Sequence, residues 1–185
     1  MQPTPAPDAL VPSPWVRRFL PLIPAGGRVL DLAAGQGRHA RLLRANGYQV
    51  VAVDRDVAAL RAALAGDAAA SVIDADLEDG GPWRLGQGYD GIVVANYLHR
   101  PLLPSLAAAL APGGALIYET FMAGNERLGR PANPDFLLRP GELLAVFIDR
   151  LTVIAFEQGS VAAPRPAVIQ RIAAVKGEVS PLPPA

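Results

Sequence analysis

The chain has no cysteine, which removes disulfide bonds, thiolate nucleophiles and zinc–thiolate centres from its chemistry. Histidine is scarce as well: His39 and His99 are the only two in 185 residues, too few for a histidine metal cage, so no metal site is expected. An excess of charge of either sign is also missing. Lys plus Arg and Asp plus Glu both number 17, which leaves no general basic field for a long nucleic acid and makes nucleic acid an unfavourable partner. Residues 101–118 carry no charge, but Pro112-Gly113-Gly114 interrupts that run, so it does not read as a membrane span. Pro21, Pro24, Gly26 and Gly27 likewise break the apolar stretch that an export signal would need after Arg17-Arg18. No membrane partner is expected, and the chain reads as cytoplasmic.

What is present is a run with a clear internal order, Val29-Leu30-Asp31-Leu32-Ala33-Ala34-Gly35-Gln36-Gly37-Arg38-His39-Ala40. It reads as a buried strand, a carboxylate, a glycine turn and the start of a helix, the arrangement of a nucleotide-type binding loop. A second strand, Tyr48 to Asp54, again ends in an acid, placed where a carboxylate can bind ribose hydroxyls. The spacing Gly35-x-Gly37-x-x-Ala40 formally satisfies the dinucleotide fingerprint, so an NAD-dependent oxidoreductase is one reading. Asp31 argues against it, because a carboxylate at the end of the first strand repels a pyrophosphate. The same carboxylate suits the ammonium and sulfonium charges of S-adenosylmethionine.

On these residues the chain resembles the class I S-adenosylmethionine-dependent methyltransferases, over roughly residues 28–120. Asp31-x-x-x-Gly35-x-Gly37 is similar to their first motif, and Asp54 falls at their ribose-binding acid. Asp74-Ala75-Asp76-Leu77 resembles their adenine-holding segment, with Asp76 placed before Asp74 as the contact. Tyr89 to His99 resembles the fourth strand and its polar end, and Leu110 to Tyr118 the helix end, Pro-Gly-Gly turn and fifth strand. The resemblance implies S-adenosylmethionine as cofactor, contacted by Asp31, Ala33, Gly35 and Gly37 around the glycine turn. It further implies contacts from Asp54, Asp76, Leu77 and Asn96. Among such enzymes the chain is most similar to the small stand-alone kind, including tellurite-resistance-type proteins. A methyltransferase acting on a small molecule is therefore expected, with a non-catalytic cofactor-binding or interaction protein as a further alternative. Nothing in the sequence assigns an oligomeric state.

The resemblance also implies an α/β, Rossmann-like fold: a seven-stranded, mostly parallel sheet with an antiparallel last strand, order 3-2-1-4-5-7-6, and helices on both faces. The pattern predicts strands at 28–32, 49–54, 70–74, 89–96 and 114–120, and helices at 37–46, 56–65 and 101–110. Ser13-Pro14 predicts a capped helix start, and Leu151 to Glu157 with Ala167 to Val175 predict two closing strands. Residues 13–177 are expected as one domain, between a flexible lead-in over 1–12 and a flexible tail over 178–185.

Ligands of open parallel sheets bind beyond the carboxyl ends of the strands, so acceptor chemistry is sought just after strands four and five. His99 has the chemistry of a base near neutral pH, and Glu119 is a carboxylate at a buried strand end; these are the catalytic candidates. Thr120 and Phe121 follow directly. Tyr97 and Arg100 are candidate substrate contacts, together with Asn125 and Arg127 in the long polar loop after Phe121. A base is optional, because methyl transfer from a sulfonium needs chiefly an aligned nucleophile and a shielded site.

Overall fold

Strand β1 (Arg28–Leu32) is fully covered along Val29 to Leu32, and its side chains alternate between two separate apolar layers. Leu30 and Leu32 join one layer with Val51, Val53, Ile92, Val94 and Leu116, while Val29 joins the other with Val50, Ala52, Val93 and Ile117. A sheet apolar on both faces must be covered on both, and helices do this here. The computed structural model describes residues 11–178. Most of the expected lead-in and tail, residues 1–10 and 179–185, lies outside the described residues.

The remaining strands are β2 (Gln49–Asp54), β3 (Ala70–Asp74), β4 (Tyr89–Ala95), β5 (Leu110–Phe121), β6 (Thr152–Val161) and β7 (Ala167–Val175). Their order is 3-2-1-4-5-7-6, as expected. β1 to β5 run parallel, and β7 is antiparallel to both β5 and β6. One face is packed by α1 (Pro14–Phe19), α2 (Arg38–Ala45) and α3 (Ala58–Ala63), through Trp15, Val16, Phe19, Leu43 and Leu60. The other is packed by α4 (Leu103–Ala109) and α5 (Glu142–Phe147), through Leu103, Leu106, Leu143 and Phe147. Each such side chain contributes about 1.5–3 kcal/mol by leaving water. No helix among the described residues is long and apolar enough to cross a membrane.

Ser13 caps α1 as its sequence predicts, its Oγ accepting from the amides of Trp15 at 3.1 Å and Val16 at 3.3 Å. Trp15 belongs to the core: it is 2% exposed, packs at a tilt against Phe19, and donates from Nε1 to the Ile172 carbonyl. Several elements differ from expectation, α4 starting at Leu103 behind a 3₁₀ turn instead of at 101 and β6 running to Val161 instead of 157. Helix α3 begins at Ala58 instead of 56, because Asp54 and Asp56 accept from the amides two residues on and hold the intervening backbone in turns. The predicted Pro-Gly-Gly break before β5 lies inside the strand. There the ladder to β4 slips between Tyr89 and Gly91, and the Gly113 amide still pairs with the Lys176 carbonyl at 2.7 Å. A Cβ on Gly114 would stand 2.6 Å from the Tyr89 carbonyl, so only glycine lets the chain pass at that point.

Candidate active site

Register brings the carboxyl ends of β1 to β5 to one edge of the sheet: Leu32 lies beside Val53 and Val94, Asp54 beside Asp74, and Ala95 beside Glu119. Below that edge sits Asp31, 1% exposed between β2 and β4, with its Oδ2 buried and without a hydrogen-bond partner. Burial pushes its carboxyl up to about 7, against the opposing pull of the Ala40 amide and the Arg38 guanidinium. A buried carboxylate oxygen with no partner is costly, and a cation brought to it would recover that cost.

The chain leaves β1 through a strained turn. Ala33 has φ +55° and is one of two non-glycine residues with positive φ among those described, the other being Asn96 at +58°, at the end of β4. Both line the same cleft, so the backbone strain gathers at the candidate site. The turn is fixed by the Asp54 carboxylate, whose Oδ2 accepts from the Gly35 amide at 2.7 Å and whose Oδ1 accepts from Asp56 at 3.0 Å. Gly37 combines φ +80° with a close approach, since a Cβ there would meet Leu60 Cδ1 at 2.9 Å. Gly35, by contrast, faces open space.

The cleft above this turn encloses about 370 Å³. Along the strand order, Ala75, Leu77 and Glu78 follow β3, Asp54 and Arg55 stand at the end of β2, and Ala33 follows β1. Asn96, Tyr97 and Leu98 lie across the middle, and Thr120, Phe121, Pro131 and Phe136 close the far end. Seven residues named from the sequence therefore meet there: Ala33, Asp54, Leu77, Asn96, Tyr97, Thr120 and Phe121. Asp76 stands beside them, exposed, with its Oδ1 accepting from the Glu78 amide at 2.9 Å. The Tyr97 hydroxyl is buried beside the Glu78 carboxylate with no hydrogen bond of good geometry, and burial first, then the charge and acceptor pull of Glu78, push its phenol above the usual range.

Other candidates lie outside the cleft lining. Arg100 forms a two-bond pair with Glu142 (2.7 and 3.0 Å) and donates to the carbonyls of Asp135 and Leu137, both at 2.8 Å. Asn125 is 2% exposed and bridges the Pro131 carbonyl and the Val168 amide. Glu119 pairs with Arg171 at 3.5 Å, and Arg171 is shared with Glu157. His99 is half-buried at the start of a 3₁₀ turn, Arg100–Leu102. The Arg127 side chain is 84% exposed and meets Glu126 at 4.0 Å.

The long loop after β5 is tied across its base, Leu138 donating to Phe121 at 3.0 Å and Ala123 to Leu138 at 2.9 Å. It contributes Pro131 and Phe136 to the cleft, residues that no motif spacing pointed to. Arg55 and Glu78 also escaped the sequence reading, although each directly follows an acid already singled out or lies two residues past one.

A family model described as "Methyltransferase domain" matches residues 9–139. The chain belongs to the methyltransferase family. This methyltransferase has S-adenosylmethionine as the cofactor of its family, and the buried, unpartnered Asp31 oxygen fits a cationic ligand of that kind. The family also sets aside the dinucleotide reading of the glycine turn. Among solved structures, the methyltransferase is similar to TehB from Haemophilus influenzae, with 21% identity and a TM-score of 0.68 over 83% of this chain and 59% of that one. It thus spans less than two thirds of the TehB chain. It is also similar to 1,6-didemethyltoxoflavin-N1-methyltransferase from Burkholderia thailandensis, solved with 1,6-didemethyltoxoflavin and S-adenosylhomocysteine. There the identity is 17% and the TM-score 0.69, over 89% of this chain and 77% of that one. A third similar structure is an S-adenosylmethionine-dependent methyltransferase from Mesorhizobium loti, with 21% identity, a TM-score of 0.67, and coverage of 88% and 96%. The comparison with curated proteins gave no match.

Proposed function

We propose that this methyltransferase acts on a small molecule bound at the Thr120 and Phe136 end of the cleft, with the cofactor lying along the ends of β1 to β3. Bound S-adenosylmethionine supplies a methyl group activated on sulfonium. Asp31 then accepts the cofactor's cationic end, Asp54 holds ribose hydroxyls while keeping the Gly35 turn in place, and Asp76 and Leu77 flank the adenine. Ala33 and Asn96 present strained backbone to the ligand. The protein's contribution is alignment and exclusion of water, and the tied loop after β5 supplies the wall that excludes it.

The observation that carries this reading is the unpartnered Oδ2 of Asp31 below an open glycine turn. A small acceptor is supported by the cleft's volume of about 370 Å³, which has to hold the cofactor as well. The even charge balance gives no field for a polyanion. A candidate role for the His99 imidazole in proton transfer is part of the same proposal, and so is one for Glu119, whose carboxylate would have to leave its ion pair with Arg171 to take a proton.

The test is parallel calorimetric titration with S-adenosylmethionine, S-adenosylhomocysteine and NADH, followed by transfer of labelled methyl to a small-molecule panel, with RNA and protein acceptors as controls. One-site binding of the first two and labelling confined to small molecules is the expected result. Binding of NADH alone, or labelling confined to a macromolecule, overturns the proposal.

A further inference from the structure

Phe136 is held in place and yet left exposed. The carbonyls on either side of it, at Asp135 and Leu137, are both gripped by Arg100, and Asn133 caps its 3₁₀ turn by accepting from the Asp135 amide at 3.0 Å. Its own side chain is 46% exposed at the rim of the cleft. Ordering a large aromatic ring without burying it forfeits most of the hydrophobic gain, unless a ligand completes the burial. Phe121, at 7% exposure, lies in the same wall with its back against Leu137 and Ala167. Tyr97 adds a third ring, and its buried hydroxyl, beside the Glu78 carboxylate, makes no hydrogen bond of good geometry within the protein.

Resting on the small-molecule reading above, we infer that the acceptor is a planar aromatic compound bearing a hydroxyl or ring-nitrogen group, its ring covered by Phe136 and Phe121 and its polar group meeting the Tyr97 hydroxyl. Two rings at one end of a cleft, with a third from its middle, favour a flat π-system over an aliphatic body of equal area, because offset and edge-on ring contacts add to simple burial. The Tyr97 hydroxyl demands a partner able to donate or accept a hydrogen bond, which a plain hydrocarbon lacks. Phe136 is the specificity-determining residue in this arrangement, since its removal costs no protein core.

The full chain, saturated with S-adenosylhomocysteine, is titrated with 2-naphthol, 4-hydroxyquinoline and 3-hydroxypyridine, and with decahydro-2-naphthol as the saturated counterpart of the first. At least one aromatic probe is expected to bind, 2-naphthol roughly tenfold more tightly than its saturated counterpart. Phe136→Ala should erase that preference, and Tyr97→Phe should weaken the hydroxylated probes roughly fivefold or more. Both variants should keep the melting temperature and bind S-adenosylhomocysteine as the parent does. Equal binding of the flat and saturated probes overturns the inference, as does failure of all three aromatics on a chain that binds S-adenosylhomocysteine. A loss of S-adenosylhomocysteine affinity in Phe136→Ala also overturns it, by assigning the ring to the cofactor. Failure of the parent chain to bind S-adenosylhomocysteine strikes the small-molecule methyl-transfer reading itself.

Discussion

The carboxylate of Asp54 accepts from the Gly35 amide at 2.7 Å, so the end of the second strand holds shut the turn that leaves the first. This one contact joins the two sequence features that first suggested a nucleotide-type site. Asp54→Ala removes both the tie and the ribose contact and should weaken S-adenosylmethionine binding by about 1–3 kcal/mol. Asp54→Asn keeps one acceptor oxygen for Gly35 and should lose less. Calorimetric affinities equal to the parent's in both variants would reject the assignment.

Asp31 should couple cofactor binding to pH. Its carboxyl, pushed up to about 7 by burial, is largely protonated in the free protein near pH 6, and a cation bound beside it holds it ionised. Binding near pH 6 should therefore release close to one proton, with release fading above pH ~8. Titrations in buffers of different ionisation enthalpy measure this directly. In Asp31→Asn the released proton should disappear; a proton count unchanged by that substitution would assign the linkage to another group.

Much of this arrangement was legible in the sequence, for a physical reason. Val29 to Gly37 and Gln49 to Asp54 are local patterns, in which a buried strand, an acid and a glycine turn each fix the backbone within a few residues. The strand order and the cleft's β1 and β2 side follow from such segments and their resemblance to a known family. At the far end Thr120 and Phe121 were legible as the end of the fifth strand, but Pro131 and Phe136 were not, because the folded chain sets them at the cleft through contacts of Asn125 and Arg100. The same reasoning explains why those two polar residues drew attention as substrate contacts: a sequence shows that a side chain can hydrogen bond, and only the fold shows that backbone carbonyls already claim it.

Ala33 carries a left-handed conformation, φ +55°, that costs an L-residue about 1–2 kcal/mol, whereas glycine there pays about 0.5–1 kcal/mol in unfolded-state entropy. Ala33→Gly should thus be neutral or stabilising by up to ~1.5 kcal/mol in urea unfolding. Ala33→Val, β-branched at the same φ, should destabilise by at least ~1 kcal/mol. A destabilised glycine variant would show that the Ala33 methyl group packs usefully against the cleft.

Arg100 and Glu142 should act as the clamp of the loop after β5. Arg100→Ala removes the pair and both carbonyl contacts at once, and should raise hydrogen exchange across residues 122–138 while costing about 1–2 kcal/mol after allowance for solvent screening. Arg100→Lys keeps the charge but cannot span three acceptors, and should recover only part of the protection. Unchanged exchange in the alanine variant would mean that the loop is held by Asn125 and its own turns.

His39 and Asp31 should pull the acid stability of this protein in opposite directions. The His39 Nε2 accepts from the Ser13 amide at 3.1 Å, and burial, the largest cause, takes its pKa down from 6.5 to about 3. The unfolded chain therefore binds a proton at His39 that the folded chain refuses, and stability falls as pH drops through 6.5 toward 3, by up to ~1.4 kcal/mol per pH unit. Asp31 does the reverse: its folded carboxyl keeps a proton that the unfolded chain loses, so stability rises as pH drops from about 7 to 3.8. The windows overlap, and within the overlap the two slopes offset each other. His39→Gln, which retains an acceptor for Ser13, should expose the Asp31 slope and gain stability relative to the parent between pH ~6.5 and ~4. Asp31→Asn should expose the His39 slope and lose stability over the same interval. Urea midpoints measured across that range decide the matter, and curves for the two variants that run parallel to the parent's would show that neither group titrates as its burial demands.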